Sequence, residues 1–571
     1  MKKKFLFIVC SFLSLGLFAQ EALKSIEEEY FDFLSLTRIS NRSYLNYRTL
    51  SDSVWNLTDE NHLWKDNKLS TEFNLFEPKQ KKENYFLDGL NQNIKLKLYG
   101  PEWFNSYNTK SPFGQNDGAL WQGRGYNTSF STGIRLEAFG FSATLKPSIN
   151  FSQNKYYEIM KSAMSNEYGY FYGKIDAPQR FGDDSIFAFD WGDSEIRYTW
   201  RALTVGFGTE YLWLGPSYMN AVLHSNHAAS YPKFDAGLKK TDLIIPKLDW
   251  NLGQIEARMW IGKLTESDYF DDNPNNNHNQ IVGYSLSYAP SFLQGLTLGV
   301  NKVCLSRWDD PNHLKYINPF YKQNTVKDEN GNAAVYGEDQ KASITASWLF
   351  EKVGLEIYSE IGIDDFLSDG LAMYGYARFP FHTMVYTVGL KKSLEISEKK
   401  DLYGLINFEW NNTETSQDYH IWPGSLYNFG FHYQLHQGYT NKGQWLGSGI
   451  GYGGNSQYLS FTLFHKKGYG KFYIARNNPD NNYIYFMHKT NPSEMATKYF
   501  TAFKANFYTG IDTLYYVIPQ FSVKLGFMYN LIINPLYNPG YSFTSSSGQK
   551  VHRKYTYLNN FRFEWGIKYN F

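Results

Sequence analysis

Cysteine is almost absent from this chain. Only two occur in 571 residues. Cys10 falls inside an apolar stretch at the N-terminus, which leaves Cys304 alone in the remainder. One cysteine cannot close an intramolecular disulfide, so a disulfide scaffold and a cysteine-based metal cluster are both excluded. Long apolar runs are missing too. After the first residues, no segment approaches the roughly 18 consecutive apolar residues that a transmembrane helix needs. Charge of one sign is not in excess, with Lys+Arg 56 against Asp+Glu 55. No basic stripe suggests a nucleic-acid partner. A fixed blade-length repeat, which a β-propeller would show, is not found.

What is abundant is aromatic. Tyr 47, Phe 44 and Trp 15 together make 19% of the residues, yet mean hydropathy is −0.48. A chain that is aromatic-rich and polar on average calls for elements with two unlike faces.

The N-terminus reads as an export signal. Lys2, Lys3 and Lys4 form a basic start, Phe5 to Leu17 an apolar core, and Leu17-Phe18-Ala19 a cleavage site before Gln20. Residues 1–19 are therefore expected to be a leader. From Glu21 to about Trp64 the spacing is helical: Leu23, Ile26, Tyr30, Phe33 and Leu34 recur at three and four residues, with Glu27, Glu28 and Glu29 between them. A second short helix is expected after Ser51 or Asp52 as N-cap, running through Trp55. Residues 20–85 are thus expected to form a small helical plug or periplasmic cap, too small to hold a core by itself.

From about Asn91 the period changes to two and stays there. Ile94, Leu96 and Leu98 alternate with lysines; so do Phe130, Ile134, Leu136 and Ala138 with polar residues. The Ala138-Phe139-Gly140-Phe141 junction is short enough for a tight hairpin. Tight junctions alternate with long connectors rich in Asn, Asp, Gly and Pro. Together these features predict an all-β fold over residues 86–571, a large closed antiparallel transmembrane barrel of about 18 strands. A β-sandwich is the soluble alternative. The barrel accounts better for aromatic rings on one face and Arg, Glu, Lys and Ser on the other, because its lumen is wet. The predicted location is the outer membrane of a Gram-negative cell, with the barrel surrounded by lipid.

Two segments go beyond barrel grammar. Tyr211 to Phe234 contains Trp213, Gly215, Pro216, Ser225, Asn226, Ala228, Ala229 and Pro232, and His432 to Phe461 contains Gly438, Tyr439, Gly443 and Gly447. In this order, and with RGYNTSFSTGIRLEAFG near the barrel start, they resemble the capsule assembly protein Wzi family. His227 stands where that family often has a second Asn, and Asn455 where Asp is common. The resemblance implies a non-enzymatic outer-membrane lectin, acting as a monomer, that binds or helps assemble capsular or other surface polysaccharide. A diffusion porin or nutrient channel is the alternative function. Sugar-contact candidates are Asp418, Tyr419, His420, Trp422 and Tyr427, which combine aromatic faces with polar groups. Loop packing or an interfacial belt would use the same residue types.

No motif singles out a catalytic residue, a cofactor or a metal. The spacings of His224 with His227 and of His432 with His436 suit a helix, not the strands and loops expected there. HExxH is absent. Gly447 to Ser456 is glycine-rich but lacks the Lys-Ser/Thr of a phosphate loop. Asp271 to Asn279 has no glutamate closing a calcium loop.

The last strand, FRFEWGIKYNF, alternates aromatics with polar residues and ends on Phe571. Trp565, Tyr569 and Phe571 resemble the terminal signal read by the barrel-insertion machinery. Phe571→Asp, or deletion of Phe571, is expected to lower the heat-modifiable barrel recovered from outer membranes. An unchanged yield would refute this role.

Overall fold

The computed structural model describes residues 19–20, 23–69, 72–76, 89–90, 92–245, 248–271, 273–311, 313–321, 337–364, 381, 383–415, 428–490, 502–538, 542–544, 547–548, 550–552 and 555–571. Its centre is a closed antiparallel barrel of 18 strands. In chain order these are β1 (Ile94–Asn108), β2 (Gly125–Ala138), β3 (Phe141–Leu145 and Ser148–Ser152), β4 (Ile186–Asp190 and Glu195–Trp200), β5 (Leu203–Gly208) and β6 (Lys233–Ile245). There follow β7 (Trp250–Thr265), β8 (His278–Pro290), β9 (Leu296–Arg307), β10 (Glu338–Phe350), β11 (Leu355–Asp364) and β12 (Met384–Ser397). The last six are β13 (Leu402–Asn412), β14 (Asn455–His465), β15 (Gly468–Asn478), β16 (Ala505–Ile518), β17 (Phe521–Ile533) and β18 (Tyr557–Tyr569).

Strand β3 lapses at Pro147, which has no N–H to give the ladder, but its register against β2 continues across the gap. The barrel closes where β18 pairs with β1, from Arg562↔Asn108 to Lys568↔Glu102. Gly100 makes that seam possible, because a Cβ there would lie 1.3 Å from the Tyr569 carbonyl oxygen. A short strand upstream of residue 86, Glu72–Phe76, continues the sheet along the start of β1.

Connections alternate as the sequence implies. Phe139–Gly140 joins β2 to β3 with φ of 51° and 84°, the two left-handed residues of a type I′ hairpin. Lys466–Lys467 and Pro519–Gln520 are equally short turns at the same end. The opposite end carries long segments, among them 109–124, 153–185, 209–232 and 413–454.

Alternation sets the two faces. On β18, Phe561, Phe563, Trp565, Ile567 and Tyr569 point outward and are exposed, while Asn560, Arg562 and Glu564 are buried in the lumen. The same split runs round the wall: Ile134, Phe207, Leu286, Val300, Ile344 and Phe472 face out, and Arg197, Glu256, Asn301, Glu360 and Glu409 face in. An outer surface of this kind suits hydrocarbon, and closure leaves no unpaired strand edge in it.

The lumen at the short-turn end is filled by residues 23–69. Helix α1 (Ile26–Ser35) starts at Ser25, whose hydroxyl accepts the Glu28 N–H at 3.1 Å. Its acids meet cations on the barrel wall: Glu29 with Lys471 at 2.7 Å, Asp32 with Lys391 at 2.6 Å, and Glu27 with Lys568 at 3.2 Å. Its aromatic face, with Tyr30, Phe31 and Phe33, packs on Trp55, Trp64 and Phe464.

The expected second helix is not formed. Leu50–Asp52 makes a single 3-10 turn, and Val54–Leu57 is a strand paired with Ser40–Asn41 and Ala19–Gln20. The reason is tertiary: the Asp52 carboxylate is occupied by Arg258 and by Lys239 rather than by the N–H groups of a following turn. The core of the plug is stitched to the wall by Glu256, whose Oε2 accepts the N–H groups of Leu45 (3.1 Å), Asn46 (2.8 Å) and Tyr47 (3.0 Å). Each such donor left unsatisfied costs roughly 1–3 kcal/mol. Glu256→Ala is therefore expected to lower unfolding stability by about 3 kcal/mol and to expose residues 23–69 to protease before the barrel opens. A urea midpoint and cleavage pattern matching wild type would contradict that anchoring.

Candidate functional site

The two segments singled out by their motifs meet inside the barrel. The first enters from β5. Trp213–Leu214 pairs with Tyr47–Arg48 of the plug, and the Lys24 ammonium lies 4.0 Å from the Trp213 ring. Gly215 turns with φ +84° and gives its N–H to the Asn46 carbonyl at 3.0 Å. The chain beyond Pro216 is then held by two wall carboxylates. Glu409 accepts the backbone N–H groups of Tyr218 (2.6 Å), Met219 (3.0 Å) and Asn220 (2.8 Å), and also the Tyr358 hydroxyl (2.9 Å). Glu360 accepts the Val222 N–H at 2.8 Å.

The second segment lies on the first. The Ser225 N–H donates to the Leu446 carbonyl at 2.8 Å and its hydroxyl to the Gly447 carbonyl at 2.5 Å. The Tyr452 hydroxyl donates to the Val222 carbonyl at 2.7 Å. Gly447 has no room for more, since a Cβ would sit 2.3 Å from that same carbonyl oxygen. Gly438 (φ +69°) and Gly443 (φ +77°) make the bends, and the Gly443 N–H donates to Asp176 at 3.1 Å. Trp213 and Tyr439 are fully buried, the Asn226 carbonyl accepts the Gly118 N–H, and the Pro232 carbonyl accepts the Lys263 N–H. These residues join the lumen filling together, and Gly443 and Tyr452 also border the cavity above it.

Above this joint, at the long-loop end, lies a cavity of about 610 Å³. Trp121, Tyr156, Tyr157, Phe181, Trp445 and Tyr537 give it aromatic walls, Gln115, Gln179, Gln444, Asn477 and Asn506 give amides, and Lys110, Arg124 and Lys504 give positive charge. Trp121 stands edge-on to Phe181 at 5.2 Å, and Trp445 edge-on to Tyr452 at 5.3 Å, so both indoles are braced. The side-chain oxygens of Asn477 and Asn506 are buried and accept no hydrogen bond from the protein. Burial lowers the Lys504 ammonium to about 8.

One wall is fastened by Asp480, which follows β15. Tyr170 and Tyr172 both donate their hydroxyls to its carboxylate, the latter at 2.5 Å. Asn428 donates to the Tyr172 hydroxyl at 3.4 Å, tying the start of the second segment to the same post.

The expected sugar-contact residues Asp418, Tyr419, His420, Trp422 and Tyr427 lie outside the described residues, between Thr415 and Asn428. Trp565, Tyr569 and Phe571 are on the outer wall. His227 borders the cavity and accepts the Asn116 N–H at 3.1 Å, and burial lowers it to about 4. His224 is spent on Tyr231 at 2.7 Å and the Leu212 carbonyl at 2.9 Å. Asn455 contacts Glu414 and accepts from Arg476 at 2.7 Å. Trp121, Phe181, Asn477, Asp480 and Asn506 were not anticipated as lining residues. The one hint was the aromatic density of 168-YGYFY-172, far above what a solvated loop requires.

No protein-family model matches the chain, and neither does any curated protein. Among solved structures, Wzi of Escherichia coli superposes with a TM-score of 0.53 at 12% identity, covering 83% of this chain and 85% of that one. That protein is described as an outer-membrane protein involved in group 1 capsule assembly and a carbohydrate-binding β-barrel. OccAB4 of Acinetobacter baumannii follows at TM-score 0.37, 8% identity, 86% of this chain and 100% of that one. A porin of Rh. blastica stands at 0.30, 9%, 83% and 100%. The likeness to Wzi establishes a shared outer-membrane barrel fold; the two weaker superpositions argue for nothing further.

Desolvation raises the Asp480 carboxyl well above the usual aspartate range. Such a group holds its proton more tightly folded than unfolded, so its contribution is complete at low pH and lost as pH rises through the raised value. The Tyr170–Asp480 post should therefore loosen with rising pH. Limited proteolysis of 153–185 across a pH series should show this in wild type and not in Asp480→Asn; identical profiles would refute it.

Proposed function

We propose that this protein is a non-enzymatic outer-membrane barrel, exported by residues 1–19, that holds capsular or other surface polysaccharide at the cell surface. The observation that carries the reading is the cavity at the long-loop end, in which braced indoles stand beside two buried amide oxygens without a protein donor. Flat aromatic faces suit the C–H surfaces of sugars, and unsatisfied acceptors suit their hydroxyls. The resemblance of the two lumen segments to the Wzi family and the shared fold with the E. coli carbohydrate-binding barrel support the same reading. A diffusion channel would need an open lumen, whereas the described residues of the plug and of both segments occupy it.

Purified surface glycan should bind the detergent-solubilised protein, measured by calorimetry. Trp121→Ala should weaken that binding about tenfold, equivalent to about 1.4 kcal/mol, without changing heat-modifiability. Absence of binding by wild type, together with full surface retention of polysaccharide in a deletion strain, would overturn the proposal.

A further inference from the structure

The long segment after β9 does not stay above the barrel. Residues 308–311 and 313–321 fold down over the outside of the wall, against strands β7 to β10 at the long-loop end. The outward residues they cover are in register: Met259 with Tyr284, Ile261 with Val282, Val282 with Cys304, and Tyr284 with Lys302. Tyr316 packs between Val282 and Cys304 and is 1% exposed.

The wall beneath carries charge on its outward face. Lys302 and Glu338 point outward, where hydrocarbon would make each costly. The strap satisfies both. Lys302 donates to the carbonyls of Pro319 (3.1 Å) and Tyr321 (2.8 Å). Glu338 accepts the hydroxyls of Tyr316 (2.5 Å) and Tyr321 (3.2 Å) and pairs with Lys315 at 3.1 Å. The Tyr284 hydroxyl donates to the Tyr316 carbonyl at 2.7 Å.

Having neutralised the wall, the strap turns apolar side chains outward: Leu314 is 66% exposed and Phe320 86%, with Ile317 between them. Directly below on the same strands stand the outward Leu286, Val300 and Ile344. One step of two residues, about 7 Å along the strand, separates Val300 from Lys302. The apolar belt thus passes from the strands onto the strap without a break.

We infer that residues 308–311 and 313–321 form a membrane-embedded strap, seated in the acyl-chain region of the outer leaflet through Leu314, Ile317 and Phe320. The occupant of this face is lipid, because the face continues a lipid-facing wall and conceals the charges that lipid would reject. The inference rests on the outer-membrane reading, and the control position separates the two.

The single cysteine of the mature chain makes the test direct. In a Cys304→Ala background, a nitroxide is attached to Leu314→Cys, Ile317→Cys, Phe320→Cys or Val300→Cys, and the protein is reconstituted in phosphatidylcholine vesicles. Should Cys304→Ala not fold, the native Cys304 background serves, since Cys304 is buried beneath Tyr316 and the unsubstituted protein, labelled in parallel, gives its background. Collision with apolar oxygen is compared with collision with a water-soluble nickel chelate. Oxygen should win at 314, 317 and 320, as at 300. The chelate winning at the strap while oxygen wins at 300 overturns the strap alone. The chelate winning at 300 as well overturns the membrane reading. Collision with neither, accompanied by cysteine cross-linking between molecules, assigns the face to a second copy and also overturns the inference.

Discussion

Charge facing inward from the barrel wall has to be met by groups the chain itself carries into the lumen, and the rest of the structure follows from that requirement. Closure and alternation satisfy the wall and expose apolar side chains outside, but they leave Glu256, Glu360 and Glu409 buried in the lumen. Each is met by peptide N–H groups threaded in from elsewhere: Glu256 by Leu45 to Tyr47, Glu360 by Val222, and Glu409 by Tyr218 to Asn220. A carboxylate accepting several N–H groups fixes a loop more narrowly than apolar contact does, because it specifies backbone position. The plug and the inward loops are the counter-charges and donors of the wall.

The proposed function rests on this filling. With the lumen occupied, the cavity that the proposal uses lies at the long-loop end, around Trp121, Trp445 and Asp480. These loops rest on the joint between Ser225 and Gly447, which in turn rests on Glu360 and Glu409. Substitutions deep in the barrel would therefore reach the cavity through a chain of direct contacts. On the proposed reading, a site carried by loops but seated on a rigid base would retain a long polymer rather than pass it.

The barrel was legible from the alternation of residues such as Phe561 to Tyr569, because a strand with unlike faces writes its environment directly into a period of two. The Phe139–Gly140 hairpin and the acidic first turn of α1 were equally local and equally readable. The second helix was not, since Asp52 as a cap competes with Arg258, some 200 residues away in sequence, and local propensity has no access to that competition. Trp213, Gly438, Tyr439 and Gly447 were singled out by their resemblance to a family motif, and in the structure they sit buried where the two lumen segments and the plug meet. The lining of the cavity was invisible because Trp121 comes from the connection between β1 and β2 while Asn477 and Asn506 face each other at the ends of β15 and β16, and the three carry no shared spacing.

Planar-bilayer recording of the purified protein tests the filled lumen most directly. The account predicts no steady conductance of the size a general diffusion porin shows, with brief small openings at most. A large, stable open level in wild-type protein would contradict it, and with it the reading of the barrel as a support for a surface binding site.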